Sequence, residues 1–165
     1  SAGVDEETLI DFDADLSKNL YKLWNRLSSG SYFPQCVKAV EIPKGNGGTR
    51  TLGIPTIADR IAQEVVKSYI EPRLEAVFVP SSYGYRPEKS AHNAIEQVRT
   101  NVRDYGWVID MDIKSFFDEV DHELLLKALS KHVTERWVML YIKRWLASPV
   151  SRNGVLEHKV GKGTL

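Results

Sequence analysis

Trp107-Val108-Ile109-Asp110-Met111-Asp112-Ile113-Lys114-Ser115-Phe116-Phe117-Asp118-Glu119-Val120-Asp121-His122 is the stretch on which the reading of this chain turns. Its apolar opening, directly after the Gly106 breaker, predicts a short and mostly buried strand over 107–113. Side chains alternate faces along a strand. Trp107, Ile109, Met111 and Ile113 would then share one face, and Val108, Asp110 and Asp112 the other. Carboxylates at the end of a strand place negative charge at the rim of a sheet, where open α/β folds commonly hold ligands. A buried carboxylate is costly unless it is paired or bound to metal. Either these aspartates reach solvent, or a cation sits there.

Working outward, 165 residues make one ordinary domain or two small lobes. With 27% charged and 42% hydrophobic residues the chain should fold around a core. Lys+Arg and Asp+Glu both number 22, so net charge gives no reason to expect nucleic acid, and any basic surface must be local. The single Cys36 excludes an internal disulfide and a cysteine-based zinc site, and suits a reducing compartment. No apolar run approaches the roughly 20 residues that span a bilayer, and no secretory signal is present. The missing initiator Met and the abrupt Gly161-Lys162-Gly163-Thr164-Leu165 ending suggest a piece of a longer protein.

Upstream, Leu16, Leu20, Leu23, Trp24 and Leu27 recur at helical spacing, and Ser28-Ser29-Gly30 ends that helix. This face reads as core. Residues 36–54 read as two strands, the first broken by Pro43, around a glycine-rich tip, Lys44-Gly45-Asn46-Gly47-Gly48-Thr49-Arg50. Lys44 and Arg50 flank the tip as two solvated charges or as a phosphate clamp, a point charge beside a planar bidentate donor. A helix follows Pro55, with Thr56 as its cap, Asp59 as negative charge in its first turn, and a stripe of Ile57, Ile61, Val65 and Tyr69. Pro72 kinks it or starts a second helix. The loop from Pro80 to Pro87 holds Tyr83-Gly84-Tyr85-Arg86, aromatics and an arginine that stack on bases or pack the loop onto a core. A helix over 88–104 turns Ala91, Ala94, Ile95 and Val98 inward, and His92 lacks a partner at metal-binding spacing. Downstream, Asp121 caps a helix with Leu124, Leu125 and Leu129, and Thr134 caps another bearing Trp137, Val138, Tyr141, Ile142 and Trp145. Asn153-Gly154 signals a hairpin within 150–160.

Taken in order, these blocks resemble the N-terminal part of a group II intron-type reverse transcriptase. Gly3-Val4-Asp5 and Leu27-Ser28-Ser29-Gly30-Ser31-Tyr32-Phe33-Pro34 resemble the family's opening block. Ile42-Pro43-Lys44, Gly47 to Thr56 and Asp59-Arg60 resemble its fingertip block. Ser82-Tyr83-Gly84-Tyr85-Arg86-Pro87 with Ala91-His92 resembles the next, and Asp110 to Asp118 the first palm motif. Gly163-Thr164 looks like the start of the motif after that. One such block is weak evidence; this many in order, over nearly the whole chain, is specific.

The resemblance implies an α+β fold: the fingers and incomplete palm of a right-hand polymerase, with helices packed on small antiparallel sheets. Fingers would cover residues 1–100 and the partial palm 101–165. The family's Tyr-x-Asp-Asp box does not occur here; it and the thumb would lie downstream of Leu165, so the 165-residue piece by itself is expected to be inactive. The implied activity of the intact protein is RNA-directed DNA synthesis, a phosphoryl transfer that rests on positioning and charge neutralisation. Two Mg²⁺ ions, held by carboxylate and phosphate oxygens, are the implied cofactor.

Strand alternation alone does not choose between Asp110 and Asp112. The resemblance selects Asp112 as catalytic residue and metal ligand, five positions before Phe117, and implies a metal contact through the Ile113 carbonyl. It makes Phe117 the ring beneath the sugar that blocks a 2′-hydroxyl, the group by which a site tells RNA from DNA. It matches Lys44 and Arg50 to contacts with the incoming triphosphate, and sets Tyr85 and Arg86 near template or nucleotide. The implied partners are template RNA and intron RNA, a DNA primer and dNTPs, with no membrane, in a prokaryotic cytoplasmic ribonucleoprotein. The exposed edge of an incomplete palm points to a homodimer. The alternatives are an RNA-binding maturase that assists intron splicing, or a CRISPR-associated, retron or diversity-generating reverse transcriptase.

Overall fold

A computed structural model of the chain describes residues 1–45, 47–158 and 161–164. Asn46 of the predicted tip, Lys159 and Val160 of the predicted 150–160 hairpin, and Leu165 lie outside the described residues. The architecture is α+β, with seven helices and one four-stranded sheet among the described residues. The chain divides into two compact units, Ser1–Tyr69 with Ser115–Leu165, and Ile70–Lys114.

The first unit opens with α1 (Leu9–Ala14), a helix the hydrophobic pattern does not announce. A capping box makes it: the Thr8 hydroxyl accepts from the Asp11 amide at 3.3 Å, and the Asp11 carboxylate accepts from the Thr8 amide at 2.9 Å. Helix α2 (Leu16–Ser29) ends as expected at Gly30, which takes the left-handed conformation at φ 74°. Strands β1 (Val37–Pro43) and β2 (Thr49–Ile54) form the predicted antiparallel hairpin, in register from Lys38↔Ile54 to Pro43↔Thr49. Pro43 is the last residue of β1 rather than a breaker before it.

The distant hairpin of β3 (Val150–Arg152) and β4 (Val155–Glu157) turns through Asn153 and Gly154, at φ 51° and 82°. Positive φ at both turn residues suits the twist of a two-residue hairpin. β3 then lies parallel to β1, through Val37↔Val150 and Lys38↔Ser151, giving the order β2-β1-β3-β4. The sheet is therefore mixed, not wholly antiparallel.

Helix α3 (Ile57–Glu75) runs through Pro72 without a break. It buries Ile57, Asp59, Ala62 and Val66, so of the expected stripe only Ile57 is inside. Ile61 and Val65 instead border an open groove of about 540 Å³, shared with Leu20, Leu23, Trp24 and Trp137. The helix is set about its axis by a hydrogen-bonded Asp59, which is 2% exposed, more than by its apolar periodicity.

Three further helices belong to this unit: α5 (Phe116–Glu119), α6 (His122–Leu129) and α7 (Arg136–Leu146). Asp121 caps α6 as predicted, accepting from the Leu124 amide at 2.9 Å; the residue preceding α7 is Glu135, not Thr134. From α7 the Tyr141 hydroxyl donates to the Leu27 carbonyl, and Arg144 donates to the carbonyls of Gly30 (2.7 Å) and Tyr32 while stacking on Phe33 at 3.8 Å. These bonds tie the segment after α2 to α7. Phe12, Leu23, Tyr32, Ile57, Ala62, Val66, Val133, Val138, Tyr141 and Val150 make the core.

The second unit contains α4 (Ala91–Asn101), capped by the Ser90 hydroxyl, which accepts from the Asn93 amide. None of residues 70–114 is buried. Ile95 and Val98, expected to face inward, are exposed. The largest departure is the stretch 107–113, which is not a strand. Trp107 is 92%, Ile109 83% and Met111 87% exposed. The cause is physical: a strand exists only as part of a ladder, and no strand among the described residues pairs with this one. No helix among the described residues is long and apolar enough to cross a membrane.

Candidate active site

The sequence-predicted site residues fall in both units, and each group has its own local support. Lys44 and Arg50 belong to the first. The β1–β2 ladder carries them to the tip, where the Lys44 amide donates to the Gly48 carbonyl at 2.6 Å and the Gly47 amide to the Lys44 carbonyl at 3.1 Å. Gly47 sits at φ 83°, a conformation that glycine alone adopts without strain. Both cationic side chains are exposed. A glycine-containing tip with two exposed cations has the makings of an anion clamp.

At the other end of this hairpin lies a polar cluster that sequence reading missed. Asp59 Oδ2 accepts from the Thr56 hydroxyl at 2.8 Å and from the Gln35 amide at 3.3 Å, and Oδ1 accepts from the Tyr32 hydroxyl. The Thr56 hydroxyl in turn accepts from the Asp59 amide at 3.1 Å. Burial, with the hydrogen bond and charge of Asp59 added, pushes the Tyr32 phenol well above its ordinary pKa. The signal available was Thr56-x-x-Asp59 at a helix start, which reads equally well as an ordinary first-turn carboxylate.

Phe117 also lies in the first unit. Ser115 enters α5 with φ 51°, a left-handed conformation unusual for serine, and Phe117 follows with its ring 61% exposed and edge-on to Phe116 at 5.3 Å. The backbone behind the ring is held from 161–164. The Thr164 amide donates to the Phe117 carbonyl at 2.6 Å and the Gly163 amide to the Val120 carbonyl at 2.9 Å. Nε2 of buried His122 lies 2.8 Å from the Gly163 carbonyl, and the His122 amide donates to the Gly161 carbonyl. His122 is a second supporting residue the sequence did not reveal, because its partner lies 41 residues away.

Asp110, Asp112 and Ile113 belong to the second unit, in the exposed segment 107–113, outside any helix or strand. Of the two arrangements expected for the aspartates, solvent exposure is the one observed. Among the described residues no group of three or more His, Cys, Asp or Glu side chains is arranged for a metal ion. Asp112 and the Ile113 carbonyl are hard oxygen donors of the kind Mg²⁺ takes, but they form an incomplete set.

Tyr85 and Arg86, in the same unit, do different things. Tyr85 is 99% exposed at φ 56°, a strained conformation for a bulky residue. Arg86 turns inward, its side chain 7% exposed. Nε donates to Glu75 at 2.8 Å and Nη2 donates to the same oxygen, while Nη1 donates to the carbonyls of Val79 (2.7 Å) and Ser82 (2.9 Å). The guanidinium also lies 5.4 Å from the Phe78 ring centre. Of the two uses open to this loop, Arg86 takes packing and leaves Tyr85 free to meet a partner.

Arg86→Ala is therefore expected to loosen the 79–89 loop, seen as faster proteolysis and amide exchange there, whereas Tyr85→Ala leaves both unchanged. The hydrogen-bonded Arg86 holds the Glu75 carboxyl below its usual range. A carboxyl depressed in the folded state stabilises above its unfolded pKa and ceases to do so as pH falls through its folded one. Loop protection should accordingly weaken in acid.

Comparison with known proteins identifies the family. Residues 42–164 match the family described as reverse transcriptase (RNA-dependent DNA polymerase). Protein YkfC of Escherichia coli K12 is 41% identical over 138 residues, 81% of this chain and 36% of that protein. Group II intron-encoded protein LtrA of Lactococcus lactis is 31% identical over 165 residues, 98% of this chain and 27% of that protein. Nuclear intron maturase 1 of Arabidopsis thaliana is 34% identical over 85 residues, 52% of this chain and 12% of that protein. The chain thus spans about a third or less of these relatives. A chain of a partial Cas6-RT-Cas1–Cas2 complex shares the fold, with a TM-score of 0.60 at 23% identity, over 95% of this chain and 26% of that one.

Proposed function

This chain belongs to the reverse transcriptase family, in its group II intron type, and from that premise we propose that it forms the fingers (1–100) and first palm elements (101–165) of an RNA-directed DNA polymerase. The observation that carries the reading is the β1–β2 hairpin: a closed ladder ending in exposed Lys44 and Arg50, inside a matched family region. Arg50 would grip the incoming triphosphate by paired N–H donors and Lys44 would add a point charge. Phe117 would lie beneath the sugar, its backbone carbonyl held by the Thr164 amide. Asp112, with the Ile113 carbonyl, would supply part of a site for two Mg²⁺ ions, and further carboxylates must complete it. Bound there, the metal would neutralise the charge that develops on the transferred phosphoryl group. Asp110 has no assigned part. The substrates on this reading are dNTPs, an RNA template and a DNA primer.

The test is primer extension by the complete polymerase. Arg50→Ala removes charge-assisted hydrogen bonds worth ~1.5–3 kcal/mol, so the nucleotide KM should rise about tenfold to a hundredfold, or the rate fall in proportion. An unchanged nucleotide dependence defeats the triphosphate assignment.

The family resemblance to proteins named as intron maturases supports a second role, binding of the parent intron RNA. Filter binding with intron RNA, run beside primer extension, separates them: a maturase that has lost synthesis binds and does not extend.

A further inference from the structure

We infer that Asp59 is a positioning residue for the nucleotide-binding tip, holding the base of the β1–β2 hairpin so that Lys44 and Arg50 stand at a fixed reach. This rests on the triphosphate reading of the tip. The argument begins with connectivity. Gln35 lies two residues before β1, and Thr56 two residues after β2. One oxygen, Asp59 Oδ2, takes a hydrogen bond from each, at 3.3 and 2.8 Å. The hairpin is thus closed at its root by a side chain that belongs to neither strand. Oδ1 takes the Tyr32 hydroxyl, which fixes the carboxylate plane.

The side chains of the cluster are sealed, while Gln35, which contributes its backbone amide, is exposed. Tyr32 is 4%, Thr56 1% and Asp59 2% exposed. Gly3 lies on the Thr56 backbone so closely that a Cβ there would come within 2.8 Å of the Thr56 Cα. Deleting the carboxylate would strand the buried Tyr32 and Thr56 hydroxyls, leave the amide of exposed Gln35 to solvent, and free the root of the hairpin. Six paired positions separate that root from the tip. At ~3.4 Å per residue the lever is about 20 Å long, and a tilt of about 3° moves its end by ~1 Å. A misplacement of ~1 Å can cost up to ~10²-fold in rate.

The experiment compares dNTP KM and kcat in primer extension by the full-length polymerase carrying Asp59→Ala, Asp59→Asn, Arg50→Ala, or Asp59→Ala with Arg50→Ala. Asp59→Ala should raise KM about tenfold with a smaller change in kcat. Partial unfolding would do the reverse, lowering apparent kcat at constant KM. Asp59→Asn should restore most of the loss, its amide oxygen facing Gln35 and Thr56 and its NH₂ donating to the Tyr32 hydroxyl. In the double variant the rise in KM should fall short of the product of the two single effects, because a displaced tip without its arginine has only the Lys44 contact left to lose.

An unchanged KM in Asp59→Ala, or independent multiplication of the two effects, overturns the inference. If Asp59→Ala fails to fold, the isosteric Thr56→Val removes one root bond. It should give a smaller KM rise with the same non-additivity, and an unchanged KM there is equally fatal. Should Arg50→Ala itself leave KM unchanged, the triphosphate reading falls and this inference with it. An effect of Arg50→Ala beside a silent Asp59→Ala defeats the inference alone.

Discussion

Asp112→Ala in the complete polymerase is expected to lower the rate of DNA synthesis by ~10³-fold or more, since even one neutral donor removed from an electrostatic site costs ~10²–10³-fold. On the proposed reading Asp112 is a charged metal ligand, unlike that neutral donor, and among the described residues no group of three or more His, Cys, Asp or Glu side chains is arranged for a metal ion. The structure also predicts what the change leaves alone. Asp112 is exposed, in a segment outside any helix or ladder. Its removal exposes no cavity and strands no buried donor, so thermal stability should be unchanged within error. Single-turnover extension beside a melting curve checks both halves. Asp110→Ala is the internal comparison: it neighbours Asp112 in sequence, and comparable loss in both variants would mean that the metal contact had been given to the wrong residue or is shared.

Phe117→Ala should change the choice of sugar more than the rate. If the ring excludes the 2′-hydroxyl by shape, its loss should relax dNTP-over-rNTP selection by ~10²-fold, the scale on which a shape-built pocket discriminates. The ratio of kcat/KM for dCTP and CTP on one template measures it. Folding should again be spared, because the ring is 61% exposed and its backbone bonds to Thr164 do not depend on the side chain. Phe116→Ala serves as control. It touches Phe117 edge-on, so a modest shift is expected there and the large one only at Phe117. Equal relaxation in both variants would point to general loosening of α5 and against a specific ring beneath the sugar.

Much of the first unit could be read residue by residue. Leucine spacing gave α2, Gly30 its end, and Asn153-Gly154 the far turn, because each is decided by forces within a few residues. The tip with Lys44 and Arg50 was equally legible, since its ladder joins neighbours in sequence. The order of blocks carried the family. What the residues did not disclose lies wherever the partner is remote. The parallel seat of β3 on β1, the clamp of Asp59 on Gln35 and Tyr32, and the hold of Thr164 on Phe117 and of Gly163 on Val120 join positions far apart in sequence.

The same reason explains the misjudged stretch. Alternation and apolarity in Trp107–Ile113 state what a strand would do if a neighbour were present. A helix closes its hydrogen bonds within itself, whereas a strand borrows them from another segment. Sequence by itself therefore determined the longer helices, the tight turns and the chemical inventory of the site, while α1 and α5 escaped it. Tertiary structure alone decided which carboxylate is buried and hydrogen-bonded, which arginine is turned inward, and whether an apolar run has a ladder to join.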